Sequence, residues 1–136
     1  MIDLSGISSA RIEAGDLEKF SGAVRRADFV ILKTGWGKYW GTEEYFGDYP
    51  VLTPDAAKWL SCFKLKGIGV DAISVDCIDS PDLPVHRILL KNNMVIIENL
   101  ANLDSVPGNS FTLCALPLRT MGADGSPVRA IAFIDS

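Results

Sequence analysis

Histidine is nearly absent from this sequence, because His86 is the only one among 136 residues. Acid–base chemistry that relies on imidazole is therefore limited to one group within this chain. Neither GxGxxG nor GxxxxGK[ST], the glycine-rich sequences that cradle nucleotide phosphates, occurs. The GxSxG turn that presents a nucleophilic serine is also missing. Nucleotide binding and serine hydrolysis consequently have no support in the sequence.

Paired cysteines, long apolar runs and an excess of basic charge are also lacking. Cys62, Cys77 and Cys114 form no CxxC pair, so we interpret them as small buried residues in a reducing compartment. No run approaches the ~20 apolar residues of a membrane span, and the first residues do not resemble a secretion signal. The net charge is -4 and the basic residues are scattered. We expect a cytoplasmic protein that binds neither membranes nor nucleic acid.

The residues that are present predict a single α/β domain. Hydrophobic residues make up 48% of the chain, which suffices for a core at this length. Thr53-Pro54-Asp55 is a typical helix start, with a hydroxyl cap, a proline in the first turn and an acidic residue near the positive helix end. Further helices are predicted at about 16–26 and 86–90, and strands at 29–32, 68–75, 94–97, 111–118 and 128–134. Several strands are apolar almost throughout, which favours layers that cover both faces of a sheet.

His86 and Glu98 are the most informative polar residues. The sequence alone leaves room for ordinary interpretations, in which His86 begins a helix and Glu98 is a strand-end charge in solvent. Yet a helical turn, the reversal at Asn92-Asn93 and a short strand could bring the two side by side. Imidazole and carboxylate together suit zinc or another borderline divalent ion.

Two other segments have a structural and a functional interpretation. The loop with Asp76, Asp79 and Asp82 is either a solvated turn region or an oxygen-rich metal rim, in which Asp76 is the candidate ligand. The aromatic segment from Trp36 to Tyr49 either packs in a core or interface or lines a pocket for a ring-bearing substrate. The candidate pocket residues are Trp36, Tyr39 and Trp40.

Several segments in a fixed order carry a family resemblance. They are VILKTGW at 30–36, GVDAISVD at 69–76, VHRILL at 85–90, IIENLANL at 96–103, LPL at 116–118 and GADGSPVRA at 122–130. Together they resemble the cyclase family, whose best characterised members are bacterial kynurenine formamidases (arylformamidases). The resemblance implies a layered sandwich of the swivelling β/β/α type and assembly into homo-oligomers. It also implies a hydrolase of formamides or related small amides, as in tryptophan and kynurenine catabolism.

The resemblance assigns His86 and Glu98 as ligands of zinc or manganese, with metal-bound water as the nucleophile. Members of the family carry a further His-x-x-x-His-x-Asp-x-Pro-x-His segment, with the other ligands and a proton-transfer histidine, before the part that this chain resembles. We therefore expect residues 1–136 to match only the C-terminal two thirds of such a domain, truncated at the N-terminus. We identify no catalytic acid or base in the chain.

Two hypotheses follow from this departure. A catalytic zinc normally has three protein ligands, so two would hold it weakly and leave the isolated chain nearly inactive. In the first hypothesis, a complementing N-terminal polypeptide completes a metal-dependent hydrolase. In the second, the chain is an inactive truncated paralogue that acts as a binding or oligomerisation partner.

Overall fold

The computed structural model describes residues 1–134. Strands β1–β8 cover Ile2–Asp3, Arg11–Ile12, Phe29–Lys33, Val51–Leu52, Gly67–Val70, Val95–Ile97, Thr112–Pro117 and Val128–Phe133. Helices α1–α4 cover Ala14–Glu18, Ser21–Val24, Pro54–Ser61 and Pro84–Lys91, and short 3-10 helices cover Trp36–Tyr39, Glu43–Phe46 and Leu103–Ser105. The chain divides into two compact units, residues 1–103 and the residues from 104 onward. None of the helices described is long and apolar enough to cross a membrane.

The first unit is built on a four-stranded parallel sheet in the order β1-β3-β5-β6. Val30 pairs with Ile68, and Ile68 pairs with Ile96, so the register continues across three strands. Helices separate these strands along the chain, as parallel connections require. The α/β prediction is confirmed. Because the strands are parallel, their carboxyl ends meet at one edge of the sheet.

The core lies between this sheet and the helices. The side chains of Val30, Leu32 and Ile68 are almost fully buried, as are Ala57 and Leu60 on α3. The central strand β5 is close-packed, since a Cβ on Gly69 would lie 2.6 Å from methyl groups of both Ile31 and Leu100. Burial on both faces agrees with the nearly continuous apolar runs in β3 and β5.

The helix predicted at 16–26 is replaced by two short helices, α1 and α2. Phe20 lies between them with φ -100° and ψ 5°, and its N–H bonds to Leu17 O in a tight turn. Gly15 and Gly22 weaken the helical preference of this stretch. The break still buries both Leu17 and Val24. Tertiary packing therefore decides the geometry here.

The start of α3 follows the prediction. The hydroxyl of Thr53 accepts a hydrogen bond from the Ala56 N–H at 3.3 Å, and Pro54 occupies the first turn. The helix ends at Ser61. The next helix, α4, begins at Pro84 and ends beside Asn92 and Asn93, where the reversal was predicted.

The prediction of buried cysteines is wrong. Cys62 and Cys77 are exposed and Cys114 is partly exposed, and all three are free thiols. Cys62 follows the last turn of α3, where its thiol bonds to the Lys58 carbonyl. Residue type alone does not predict this exposure. Cys62 lies at the end of α3 and Cys77 in the acidic loop, and both of these places face solvent.

The second unit contains an antiparallel hairpin of β7 and β8, which lie at the strands predicted at 111–118 and 128–134. Cys114 pairs with Ile131, and Ala115 pairs with Ala130. Since paired residues share a face, apolar side chains occupy both faces of the hairpin. Several of them are exposed, namely Leu116, Val128, Ile131 and Phe133.

Candidate metal centre

Three polar residues follow three neighbouring strands of the parallel sheet. Thr34 comes directly after β3, Asp71 after β5 and Glu98 after β6. The carboxyl edge of an open parallel sheet is where such folds bind their ligands. Strand order therefore brings residues distant in sequence to one place.

His86 reaches the same edge from the first turn of α4. This helix connects β5 to β6, so its N-terminus lies where β5 ends. The residue at its N-cap, Leu83, has φ 44° and supplies no side-chain cap. Instead the Asp76 carboxylate accepts hydrogen bonds from the N–H groups of Val85 and His86, both at 2.9 Å. A carboxylate from the preceding loop thus caps the helix that carries the histidine.

The same carboxylate orients the imidazole. Asp76 Oδ2 lies 2.8 Å from His86 Nδ1. Because a carboxylate only accepts, Nδ1 carries the proton that faces Asp76, which leaves Nε2 as the ring atom that faces Glu98. Nε2 lies 3.3 Å from Glu98 Oε1. This arrangement matches the carboxylate–histidine pairs that support metal ligands in many proteins.

Glu98 is also held by the backbone. Its Oε1 accepts a hydrogen bond from the Val75 N–H at 3.2 Å. The side chains of Glu98 and His86 are 27% and 22% exposed, so both are largely sheltered from solvent. The two candidate ligands are therefore adjacent and oriented.

The separation of these two donors fits a shared metal ion. Ligand bonds of 2.0–2.2 Å at a tetrahedral angle place nitrogen and oxygen about 3.4 Å apart, close to the 3.3 Å observed. Within residues 1–134, no group of three or more His, Cys, Asp or Glu side chains is arranged to hold a metal. His86 and Glu98 in this part of the chain could therefore fill two of the coordination positions of a metal ion.

Only one of the three aspartates of the acidic loop contacts this site. Asp76 is buried and lies behind the imidazole, on Nδ1, whereas Glu98 lies on the Nε2 side. Asp79 is exposed and, with Arg11, Cys77 and Ser80, lines a cavity of about 290 Å³. Asp82 is exposed in the same loop. The structure thus brings only Asp76 to the pair of His86 and Glu98.

Asp71 is a further buried carboxylate that the sequence did not single out as a site residue. Oδ1 accepts from the N–H and hydroxyl of Thr34 at 2.8 and 2.6 Å, and Oδ2 accepts from the Gly35 N–H at 2.8 Å. Gly35 has φ 78°, a left-handed conformation that favours glycine. Asp71 therefore sets the turn that leads into the aromatic segment.

The aromatic segment folds over on itself around Tyr45. The indole N–H of Trp36 donates to the Tyr45 carbonyl at 3.0 Å, and the Trp36 ring packs at a tilt of 57° against the Tyr39 ring, with centroids 4.7 Å apart. Trp40 packs edge-on against Tyr45 at 5.0 Å yet remains 63% exposed. The three candidate pocket residues are thus neighbours, and Trp40 presents apolar surface.

Two buried tyrosines join this segment to the candidate metal centre. The Tyr45 hydroxyl donates to Asn99 Oδ1 at 2.8 Å, and the Tyr49 hydroxyl donates to the Asp76 carbonyl at 2.8 Å. Burial raises the pKa of Tyr45, and the charges of Asp71 and Glu98 add to the rise. Burial likewise raises the pKa of Tyr49 to about 12. Both phenols therefore remain hydrogen-bond donors at neutral pH; sequence reasoning missed them because no motif marks their partners.

Comparison with known proteins places these residues in a family context. The family model described as putative cyclase matches residues 1–77. The kynurenine formamidase of Bacillus thuringiensis is 37% identical over 131 residues, which cover 96% of this chain and 59% of that protein. The isatin hydrolase of Roseibium aggregatum is 33% identical over 124 residues, which cover 83% of this chain and 47% of that protein.

A solved structure gives the same picture of the fold. An isatin hydrolase bound to the product analogue thioisatinate superposes with a TM-score of 0.85 at 29% identity, covering 99% of this chain and 58% of that one. The chain therefore spans about half to three fifths of the length of these relatives.

Proposed function

The chain belongs to the cyclase family, and from that premise we propose that it is part of a metal-dependent hydrolase that cleaves a small amide. One observation carries the proposal. The Nε2 of His86 and the Oε1 of Glu98 lie 3.3 Å apart, at the sheet edge, with Nδ1 of the same imidazole anchored on Asp76.

Each residue has a distinct role in this proposal. His86 and Glu98 hold a divalent ion, zinc or manganese. Asp76 keeps the imidazole in the tautomer that leaves Nε2 free, and the Val75 N–H fixes Glu98. A bound divalent ion supplies an acidified water and polarises the substrate carbonyl. The chain itself orients these groups and shelters them from bulk solvent.

The substrate class follows from the relatives and from the aromatic segment. One relative is named for kynurenine and another for isatin, and both compounds are aromatic. Trp36, Tyr39 and Trp40 would stack against such a ring beside the carbonyl to be attacked. We propose a formamide such as N-formylkynurenine, or a related cyclic amide, as the substrate.

Metal ligands other than His86 and Glu98 would complete the metal centre. A catalytic zinc site normally has three protein ligands and one open position. We propose that a polypeptide carrying the family's histidine-rich segment supplies the further ligands and the proton-transfer group. The isolated chain would then bind metal weakly and be nearly inactive.

The test is reconstitution. The chain would be co-expressed with the portion of the B. thuringiensis relative that has no counterpart here. We expect uptake of zinc or manganese, measured by elemental analysis, together with hydrolysis of N-formylkynurenine. The Glu98→Gln chain in the same pairing is the matched control and should lose both. Absence of metal uptake and hydrolysis with the unaltered chain would refute the proposal.

A non-catalytic role is the second candidate. Leu116, Ile131 and Phe133 are exposed on the hairpin of the second unit, and exposed apolar patches mark interaction surfaces. We propose that these residues favour self-association or binding of a partner chain. Sedimentation analysis that shows only monomers over a wide concentration range would count against it, and tightly bound stoichiometric metal would contradict an inactive paralogue.

A further inference from the structure

We infer that Tyr45 is a positioning residue for Glu98, which it holds in place through a hydrogen bond to the side chain of Asn99. The inference rests on the proposed function only for the statement that Glu98 binds a metal. The bond itself joins residues 54 positions apart and links the aromatic segment to the residue after Glu98.

The phenol is placed by packing on several sides. Tyr45 is only 3% exposed. Its carbonyl accepts the indole N–H of Trp36 at 3.0 Å, and its ring meets the rings of Trp40 and Phe46 at 5.0 and 5.8 Å. The hydroxyl therefore reaches Asn99 Oδ1 from a fixed position, at 2.8 Å.

The backbone of Asn99 is constrained as well. Its φ is 58°, in the left-handed region that costs most residues roughly 1–2 kcal/mol, although asparagine enters it more readily. Its N–H also donates to the Ala72 carbonyl at 2.9 Å. The torsions of Asn99 set the direction in which the chain leaves Glu98. Holding Asn99 by both its backbone and its side chain therefore restricts where the Glu98 carboxylate can lie.

Two variants remove the hydrogen bond between Tyr45 and Asn99 while leaving the backbone conformation accessible. Tyr45→Phe removes the hydroxyl and keeps the ring. Asn99→Gly removes the acceptor, while glycine enters the left-handed region freely. Asn102→Gly is the matched control, because Asn102 has φ 59° three residues further along.

The readout uses the single histidine. In protein labelled with ¹⁵N-histidine, His86 gives the only imidazole signals, and Zn²⁺ is titrated while these are followed by NMR. Outer partners of metal ligands typically change affinity 10–100-fold. We expect Zn²⁺ affinity to fall about 10-fold in Tyr45→Phe and in Asn99→Gly. The double variant should fall no further, because both changes break one interaction, and Asn102→Gly should match the unaltered chain.

A second measurement needs no metal. The Val75 N–H donates to Glu98 Oε1 at 3.2 Å, so its hydrogen exchange reports how firmly that carboxylate is held. We expect faster exchange at Val75 in both single variants, with unchanged exchange in β3 as the check on global stability. If Zn²⁺ leaves the His86 signals unmoved in the unaltered chain, the two donors do not bind the metal by themselves, and Val75 exchange still decides the positioning role. Unchanged Val75 exchange in Asn99→Gly would overturn the inference, even if Tyr45→Phe did not fold.

Discussion

The carboxylate of Asp76 lies 2.8 Å from Nδ1 of His86 and caps α4, the helix that contains this histidine. One buried side chain therefore sets both the position of the helix and the rotation of the imidazole. Any change in Asp76 should alter helix stability and metal affinity together. This coupling makes Asp76 the residue through which the candidate centre is most directly tested.

Asp76→Asn should weaken Zn²⁺ binding about 10–100-fold and lower the free energy of unfolding by about 1–3 kcal/mol. The amide has one acceptor oxygen, and its NH₂ group cannot receive the N–H bonds that the second carboxylate oxygen receives. Zinc titration and urea unfolding would measure the two effects. Asp79→Asn, an exposed change in the same loop, is the control and should leave both values nearly unchanged. Equal behaviour of the two variants would contradict the role given to Asp76.

Glu98→Gln should abolish the stabilisation of the chain by zinc. A ligand that binds the folded state raises the unfolding temperature by an amount that grows with the logarithm of ligand concentration over dissociation constant, and a neutral amide is a poor zinc ligand. Thermal unfolding with and without Zn²⁺ would measure the shift, and removing the ion with a chelator should reverse it in the unaltered chain. Lys58→Gln, on the exposed side of α3, should retain the full shift. A zinc-dependent shift that persists in Glu98→Gln would show that the ion binds elsewhere.

Asp71→Asn should lower the free energy of unfolding by about 2–4 kcal/mol. Asp71 is 4% exposed and its two oxygens accept three hydrogen bonds, so an amide would leave a buried donor without a partner. Urea unfolding would report the loss. Asp55→Asn breaks only an exposed pair with Lys58 and should change stability by less than about 1 kcal/mol. Similar values for the two variants would refute the structural importance assigned to Asp71.

Tyr49 should make the fold less stable in strongly alkaline solution. Its folded pKa is about 12, above the ordinary value of 10.0, because the buried phenolate is disfavoured. The stabilisation is therefore complete below pH 10 and is lost as the pH rises from about 10 to 12. Urea midpoints across this range should fall less steeply in Tyr49→Phe. That variant should also be less stable by about 1–2 kcal/mol at neutral pH, because the Asp76 carbonyl loses its donor. Parallel pH curves for the two proteins would exclude this contribution of Tyr49.

Much of the secondary structure could be read from local patterns. Thr53-Pro54-Asp55 marks a helix start because the cap and the proline act on the nearest turn, and α3 begins there. Phe29–Lys33 forms a strand because its branched apolar residues suit a sheet buried on both faces. The stretch around Phe20 was misjudged, since the burial of Leu17 and Val24 outweighed the preference for one continuous helix.

The candidate site was predictable only in part. Residue chemistry left ordinary interpretations of His86 and Glu98 open, and the family resemblance assigned them as metal ligands. The structure brings the two within 3.3 Å. Nothing local distinguishes Asp76 from Asp79, although one is buried behind the imidazole and the other is exposed. The contact between Tyr45 and Asn99 carried no local signal, because it spans 54 positions.

The sequence by itself determined the approximate positions of β3, β5 and β6, the start of α3 and which residue types could bind a metal, because turn signals, apolar periodicity and donor chemistry act over a few neighbouring residues. Only the tertiary structure decided which side of His86 each carboxylate occupies and which tyrosine reaches the loop after Glu98. Those relationships depend on the parallel order of β3, β5 and β6 and on the return of α4 across the sheet. Long-range packing brings distant residues to one edge, and no local pattern encodes the distance between them.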